Sequence, residues 1–406
     1  MQSDPEIAYE SLYGQMNRLI AQPLVKAAVP TVIVIDALDE CKDDEPASGI
    51  LSVLGQFVNK IPKVKFFVTG RPEPRIREGF RLPLLVRATD VFVLHRVEPG
   101  QVNNDIRLFF RRSFSELSCR RELDAWPSEE QLGLLCERSS GLFVYAVATV
   151  RFISQKSKNP ERQLDRLLQS PESSTFEGKT KFKGSVTLDL LYTSILQEAF
   201  DDDDDNTENG PGVRSVLGAV VLTTNPLSPS TIAAILGFDV KDVIPLLLSA
   251  HSLLALQDDI DHPVRPFHKS FPDFITDPTR CPNPRFRVHP PDQHAELLFG
   301  CLEVMNRELE RNMCKLPDGV TNSEVVDLGD RIGRCIGRAL QYACRSWHKH
   351  LVDMIPPHIT PILHKFLEEK FLFWLEVLSV IGEAREAVDA LDATAKCKWS
   401  DVCHSS

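Results

Sequence analysis

A run of five β-branched residues, Thr31-Val-Ile-Val-Ile35, breaks off at Asp36-Ala-Leu-Asp39-Glu40. Apolar residues without polar alternation are the pattern of a strand buried on both faces, and such strands belong to parallel sheets covered by helices. Ile50, Leu54, Phe57, Val58 and Ile61 follow at helical spacing and give one apolar stripe. Val64-Lys-Phe-Phe-Val-Thr69 reads as a second strand, closed by Gly70-Arg71-Pro72. Strand, helix and strand in this order predict a βαβ unit with parallel strands and a right-handed crossover. Val91-Phe-Val-Leu94 is expected to form a third strand.

From Gln101 the periodicity turns helical, with Ile106, Phe109, Phe110 and Phe114 on one face. Pro127-Ser-Glu-Glu130 reads as a helix start, Ser128 capping and acidic residues filling the first turn. A buried helix is expected over 141–153, a loose connection over 155–185 and another helix over 188–200. Asp201–Asp205 and the Gly/Pro-rich residues after them read as a solvated acidic linker. Residues 213–275 predict three helices and a β-hairpin, the pattern of a winged helix, and the chain beyond Pro291 is helical again.

The balance of 46 Lys+Arg against 57 Asp+Glu gives a net charge of −11, which argues against neutralising nucleic-acid phosphates or binding an anionic membrane. The third helix of the 213–275 block, Asp239–Leu254, carries one lysine and two aspartates, poor equipment for a DNA recognition helix. No apolar stretch reaches the length of a bilayer span, and Met1-Gln-Ser-Asp-Pro-Glu6 has no signal-peptide character. The ten cysteines include no C-x-x-C pair, so a cytoplasmic protein with reduced thiols is expected. Cys281, His289, His294 and Cys301 fit no common zinc spacing.

A buried parallel strand delivers its last residue to the carboxyl edge of the sheet, where ligands of α/β proteins bind. Asp36 there could hold Mg²⁺, and Asp39 and Glu40 could orient an attacking water. From spacing alone, Asp39 serves equally well as the cap of the following helix. One βα unit on, Thr69-Gly70-Arg71 places a guanidinium at the same edge, suited to a terminal phosphate. Taken singly, Arg71 also reads as a surface arginine in a Pro-bounded turn.

Together these segments resemble the NACHT family of STAND nucleotide-binding switches, especially the fungal proteins of heterokaryon incompatibility. Val32-Ile-Val-Ile-Asp36-Ala-Leu-Asp39-Glu40 is similar to the family's Walker B, and Phe67-Val-Thr-Gly70-Arg71 to its sensor-one strand. Gly141-Leu-Phe143 resembles the segment that packs near the adenine, with Phe143 where many members have Pro. Pro266-Phe-His268-Lys-Ser-Phe271 resembles the winged-helix segment whose histidine senses the ADP β-phosphate. The resemblance implies a Mg²⁺ ligand at Asp36 and catalytic roles for Asp39 and Glu40. It further implies contacts to ATP or ADP from Thr69, Arg71, Phe143 and His268, with Asp36, Arg71 and His268 converging on one hollow. Slow ATP or GTP hydrolysis, protein partners, oligomerisation with family members, and repeats downstream are its further implications.

One feature departs from that pattern. A phosphate-cradling G-x-x-x-x-G-K-[S/T] should precede Walker B, yet residues 1–30 contain Gly14 as their only glycine. Gly178-Lys179-Thr180 has Ser173 where the first glycine should stand, and it follows Walker B. An N-terminally truncated relative lacking Walker A is therefore expected, either an incomplete copy of the switch or a non-catalytic interaction fragment. The expected fold class is an incomplete P-loop NTPase-type parallel α/β sheet followed by α-helical parts. Its expected domains are residues 1–115 (C-terminal part of the nucleotide-binding core), 116–200 (helical), 201–212 (acidic linker), 213–280 (winged helix) and 281–406 (C-terminal helical).

Overall fold

The structure is a computed structural model that describes residues 7, 10–41, 44–94, 97–155, 158–169, 183–200, 212–223, 225–257, 259–317, 319–351 and 354–399. The acidic run Asp201–Asp205 and the Gly178-Lys179-Thr180 segment lie outside the described residues. The chain divides into two compact units, Met1–Val97 and Glu98–Ser406.

In the first unit, β1 (Thr31–Ile35) and β2 (Val64–Val68) pair in parallel, with Thr31 opposite Val64 and Ile35 opposite Val68. Helix α1 (Asp44–Phe57) makes the crossover, so the βαβ unit read from periodicity is present. Its apolar stripe buries Leu51, Leu54 and Phe57, and Ile33, Ile35, Phe66 and Val68 of the sheet pack against that cluster. The other face is open: Val32, Val34 and Phe67 are 60–63% exposed. The expected burial of β1 on both faces is thus corrected: among the described residues of the first unit, apolar packing covers one face of this sheet and leaves the other exposed. Val91–Leu94 is not a strand either, and Val91, Phe92 and Leu94 are exposed. β-Propensity expresses itself only where a ladder partner and a surface to pack on are both present.

The second unit is helical. Helices α3 (Pro99–Arg121), α4 (Glu129–Ser139), α5 (Phe143–Ile153), α6 (Pro160–Gln169) and α7 (Lys183–Phe200) form its first block. Residues 115 and 116 lie inside the continuous α3. Ile106, Phe110 and Phe114 are fully buried, as their spacing requires. Ser128 begins α4 with a capping box: its hydroxyl accepts from the Gln131 N–H, and the Gln131 side chain accepts from the Ser128 N–H at 2.9 Å. Part of the stretch expected as a loose connection is α6, whose face of Gln163, Leu164 and Leu167 is buried.

The second block contains α8 (Val213–Leu222), α9 (Pro229–Leu236) and α10 (Val240–Ser249), then the short antiparallel pair β3 (Leu254–Ala255) and β4 (Arg265–Pro266). Short α11 (Ser270–Ile275) and long α12 (Pro290–Glu308) follow. Beyond them, α13 (Arg338–Ser346), a 3₁₀ turn Trp347–His350 and α14 (Phe371–Val380) close over Trp347, Phe366 and Trp374. Those rings meet edge to face with centroids 5.4–5.9 Å apart, and the buried Trp374 indole N–H donates to the Cys344 carbonyl. The predominance of helix and the small parallel sheet agree with the expected α/β plus α class. Among the described residues no helix is long and apolar enough to cross a membrane.

Helices α9 and α12 touch through Gly300. A Cβ built there would stand 1.8 Å from the Ile235 carbonyl oxygen, a backbone atom that cannot swing aside. Gly300→Ala should cost about 1–3 kcal/mol or more, the usual toll of overpacking. Gly329→Ala, at a helical position with open space around it, should be neutral or slightly stabilising. Urea unfolding of the two variants beside the parent chain checks the contrast.

Candidate functional site at the carboxyl edge of the sheet

The parallel register ends β1 and β2 together, so Asp36 and Thr69 emerge side by side. The Thr69 hydroxyl donates to Asp36 Oδ1 and itself accepts from the Ala37 N–H at 2.9 Å. The ladder continues one step further, with Leu38 N–H donating to the Thr69 carbonyl at 2.9 Å. To make that turn Ala37 adopts φ +53°, a left-handed conformation costly for a residue with a Cβ. The chain then enters the 3₁₀ turn Leu38–Glu40.

Asp39 points inward. Its side chain is 4% exposed; Oδ1 accepts from the Arg71 N–H at 3.0 Å, and Oδ2 lies 3.7 Å from Arg71 Nε. A buried carboxylate needs such partners, and a backbone N–H with a guanidinium supplies both a hydrogen bond and charge. The turn is tight: a Cβ on Gly70 would stand 3.3 Å from Asp39 Oδ1. Arg71 is half exposed, while Asp36 and Glu40 face solvent. Asp36, Thr69, Asp39 and Arg71 are therefore brought together, and Glu40 sits beside them without joining their hydrogen bonds.

Arg75 completes the cluster and was not singled out in the sequence. It donates from Nη2 to the Asp39 carbonyl at 2.9 Å and from Nε to Glu73 at 3.1 Å. A trace of it was legible: Arg75 sits in the first turn of α2 (Pro74–Phe80), where a cation opposes the helix dipole unless acceptors hold it.

The remaining two candidates belong to the second unit. Phe143 opens α5, 44% exposed, with its ring edge on Phe109 at 6.2 Å. His268 follows β4 and is exposed. Its Nδ1 accepts from the Ser270 N–H at 3.1 Å, so the ring carries its proton on Nε2. Ser270 Oγ lies 2.7 Å from the same Nδ1 and 2.8 Å from the hydroxyl of Tyr192 on α7. Burial pushes the Tyr192 phenol up to about 12, which keeps it a proton donor. Nearby, Asp189 takes a two-pronged grip from Arg280, with Nη2 at 2.7 Å and Nε at 3.0 Å.

The hairpin that carries His268 is held by α5. Arg151 donates to the carbonyls of His251 and Leu254 at 2.7 and 2.6 Å and stacks on the Phe267 ring, 4.2 Å from its centroid. Burial lowers the pKa of this guanidinium, which nonetheless remains a cation because its ordinary value is so high. Along α5, Phe143 and Arg151 are separated by a rise of about 12 Å.

No group of three or more His, Cys, Asp or Glu side chains among the described residues is placed to hold a metal ion. Asp36 is the one carboxylate of the edge cluster that is both exposed and at a strand end. The oxygens of Asp39 are committed to Arg71, and no G-x-x-x-x-G-K-[S/T] occurs in the 406 residues. These residues do not by themselves fit a complete holder for a Mg²⁺–nucleoside triphosphate.

A βαβ unit with carboxylates and an arginine at its carboxyl edge, followed by a helical unit, resembles the nucleotide-binding part of NACHT-type proteins of fungal incompatibility. Comparison with known proteins agrees: residues 2–71 match the family described as Nephrocystin 3, N-terminal. The vegetative incompatibility protein HET-E-1 of Podospora anserina is 22% identical over 390 residues, covering 89% of this chain and 26% of that protein. The chain thus spans about a quarter of the length of the curated relative it matches. No solved structure matches it.

If Asp39 locks the two strand-end loops together, Asp39→Ala strands a buried N–H and a guanidinium. It should cost about 1–3 kcal/mol, whereas Glu40→Ala should leave stability nearly unchanged. Denaturant unfolding read through the first unit distinguishes them; equal effects would refute the assignment.

Proposed function

We propose that the chain is a segment of a NACHT-type signalling switch, in which ATP and ADP favour different conformations of a nucleotide-binding core and a winged helix. In this reading Asp36 faces the Mg²⁺ site, Arg71 and Thr69 face the terminal phosphate, and Asp39 with Glu40 stands by the hydrolytic water. Phe143 and His268 take the roles described for the adenine-side segment and the winged-helix histidine. The β3–β4 hairpin after α8, α9 and α10 is the wing. The carrying observation is the cluster at the carboxyl edge, where Asp36 meets Thr69 and Asp39 meets Arg71 across neighbouring parallel strands. The likeness to HET-E-1 over most of the chain supports the same reading.

A second reading is a non-catalytic regulatory or interaction segment that works through protein partners, including family members. The engagement of Asp39 by Arg71 favours it, because a carboxylate buried in structural hydrogen bonds is poorly placed to handle water. Both readings share one expectation: within these 406 residues the backbone cradle that supplies most phosphate affinity is absent.

The 406-residue chain should therefore show no saturable micromolar binding of ATP·Mg²⁺ or ADP in titration calorimetry. A micromolar dissociation constant for either would contradict this. Binding abolished by Arg71→Ala would then return the switch reading to this chain itself.

A further inference from the structure

An open groove of about 690 Å³ runs between α3 and the turn that leads into α4. Ser115 and Cys119 line it from α3, one helical turn apart, and Trp126 and Pro127 line it from the turn. Ser115 and Cys119 are small and exposed, so a bound chain can approach the helix closely, and the Ser115 hydroxyl has no partner among the described residues. Trp126 meets the buried Phe114 ring edge to face at 5.4 Å, which holds it as an apolar wall. Leu108 falls on the same face of α3, three residues before Arg111, and is 66% exposed.

Arg111 and Glu129 also line the groove, and the charge there is out of balance. Arg107 donates from Nη2 to Glu129 at 2.7 Å. Arg111 donates to the same carboxylate from Nη2 at 2.8 Å and from Nε at 3.2 Å. Two guanidiniums thus face one carboxylate. Among the described residues, Arg107 Nε and Nη1 and Arg111 Nη1 have no hydrogen-bond partner. Arg111, then Arg107, holds the Glu129 carboxyl below its ordinary range, so this seat favours an anion. Helix α3 carries five arginines against Asp105 and Glu116, in a chain whose net charge is −11. Glu116 lies 3.8 Å from Arg112.

We propose that this groove docks an acidic linear segment of a partner protein. Its carboxylate sits on Arg111 and Arg107, and a large apolar side chain beside it packs on Trp126 and Leu108. The planar fork of a guanidinium matches a carboxylate, and the unused nitrogens leave room for a second one. Glu129 occupies in cis the place such a carboxylate takes, so it displays the bonding geometry and also competes for it. A nucleic-acid backbone needs a track of positive charge for successive phosphates, whereas this seat is a single pair of arginines flanked by apolar surface and a carboxylate. The docking depends on neither reading given above, since no residue of the carboxyl edge enters it.

Selection of a phage-displayed random dodecapeptide library on the immobilised 406-residue chain tests the groove. The winning peptide, synthesised with a fluorescent label, then gives affinities by polarisation. Enriched peptides should carry Asp or Glu close to Trp, Phe or Leu, and their binding should weaken with added salt. Arg111→Ala should weaken binding about tenfold, the scale of an arginine anchor at an interface. Cys119→Trp should weaken it too, by filling the groove. Glu129→Ala should tighten it, because the competing carboxylate is gone; a purely structural role for the Arg111–Glu129 pair predicts the opposite. Failure to enrich acidic peptides, affinity unmoved by Arg111→Ala, or weaker binding to a folded Glu129→Ala chain overturns the proposal. So does an oligothymidylate that binds through Arg111 more tightly than any selected peptide.

Discussion

Five rungs of parallel ladder determine where the chemistry of the first unit lies. With Thr31 opposite Val64 and Ile35 opposite Val68, the two strands finish level, and the residues just beyond them become neighbours. A shift of one residue would turn the faces of one strand over and part Asp36 from Thr69. The Asp39–Arg71 contact is a consequence of the same register, since the two residues sit four and three positions past the last rung. That short reach lets a carboxylate be buried at low cost: the N–H and the guanidinium it needs arrive with the neighbouring loop.

The second unit solves a different problem. Its two blocks meet mainly through side chains: Arg151 reaching two carbonyls, Asp189 gripped by Arg280, and Tyr192 set among Phe271, Phe274 and Ser270. Each link buries polar groups with their partners in place, and so specifies one arrangement of the blocks where greasy contact alone would tolerate several. His268 owes its ring orientation to this arrangement, because the Ser270 that fixes its Nδ1 is itself held by Tyr192.

Much of the framework was legible. The Ile50–Phe57 stripe and the Ser128 cap rest on interactions spanning a few residues, and the unbroken Thr31–Ile35 run marks its strand by composition although its ladder partner lies 33 residues on; each appears where its pattern places it. The errors have a common origin. Val91–Leu94 has the composition of a strand but no ladder beside it, and β1 was expected to be covered twice whereas its Val32–Val34 face is open. At the site, Asp36, Thr69 and Arg71 were legible from strand-end position alone. Arg75 left only the trace of its place in the first turn of α2 and Tyr192 left none, because their partners lie 36 and 78 residues away along the chain.

By itself the sequence determined periodicity, caps and the order of strand-end residues, since these depend on neighbours one helical turn or one pleat away. Whether Asp39 faces water or a guanidinium, and which carbonyls and carboxylate hold Arg151 and Arg280, were decided only by tertiary structure. The reason is that burial and hydrogen-bond geometry belong to pairs of groups, and here the members of each pair come from separate elements that meet only when the chain has folded.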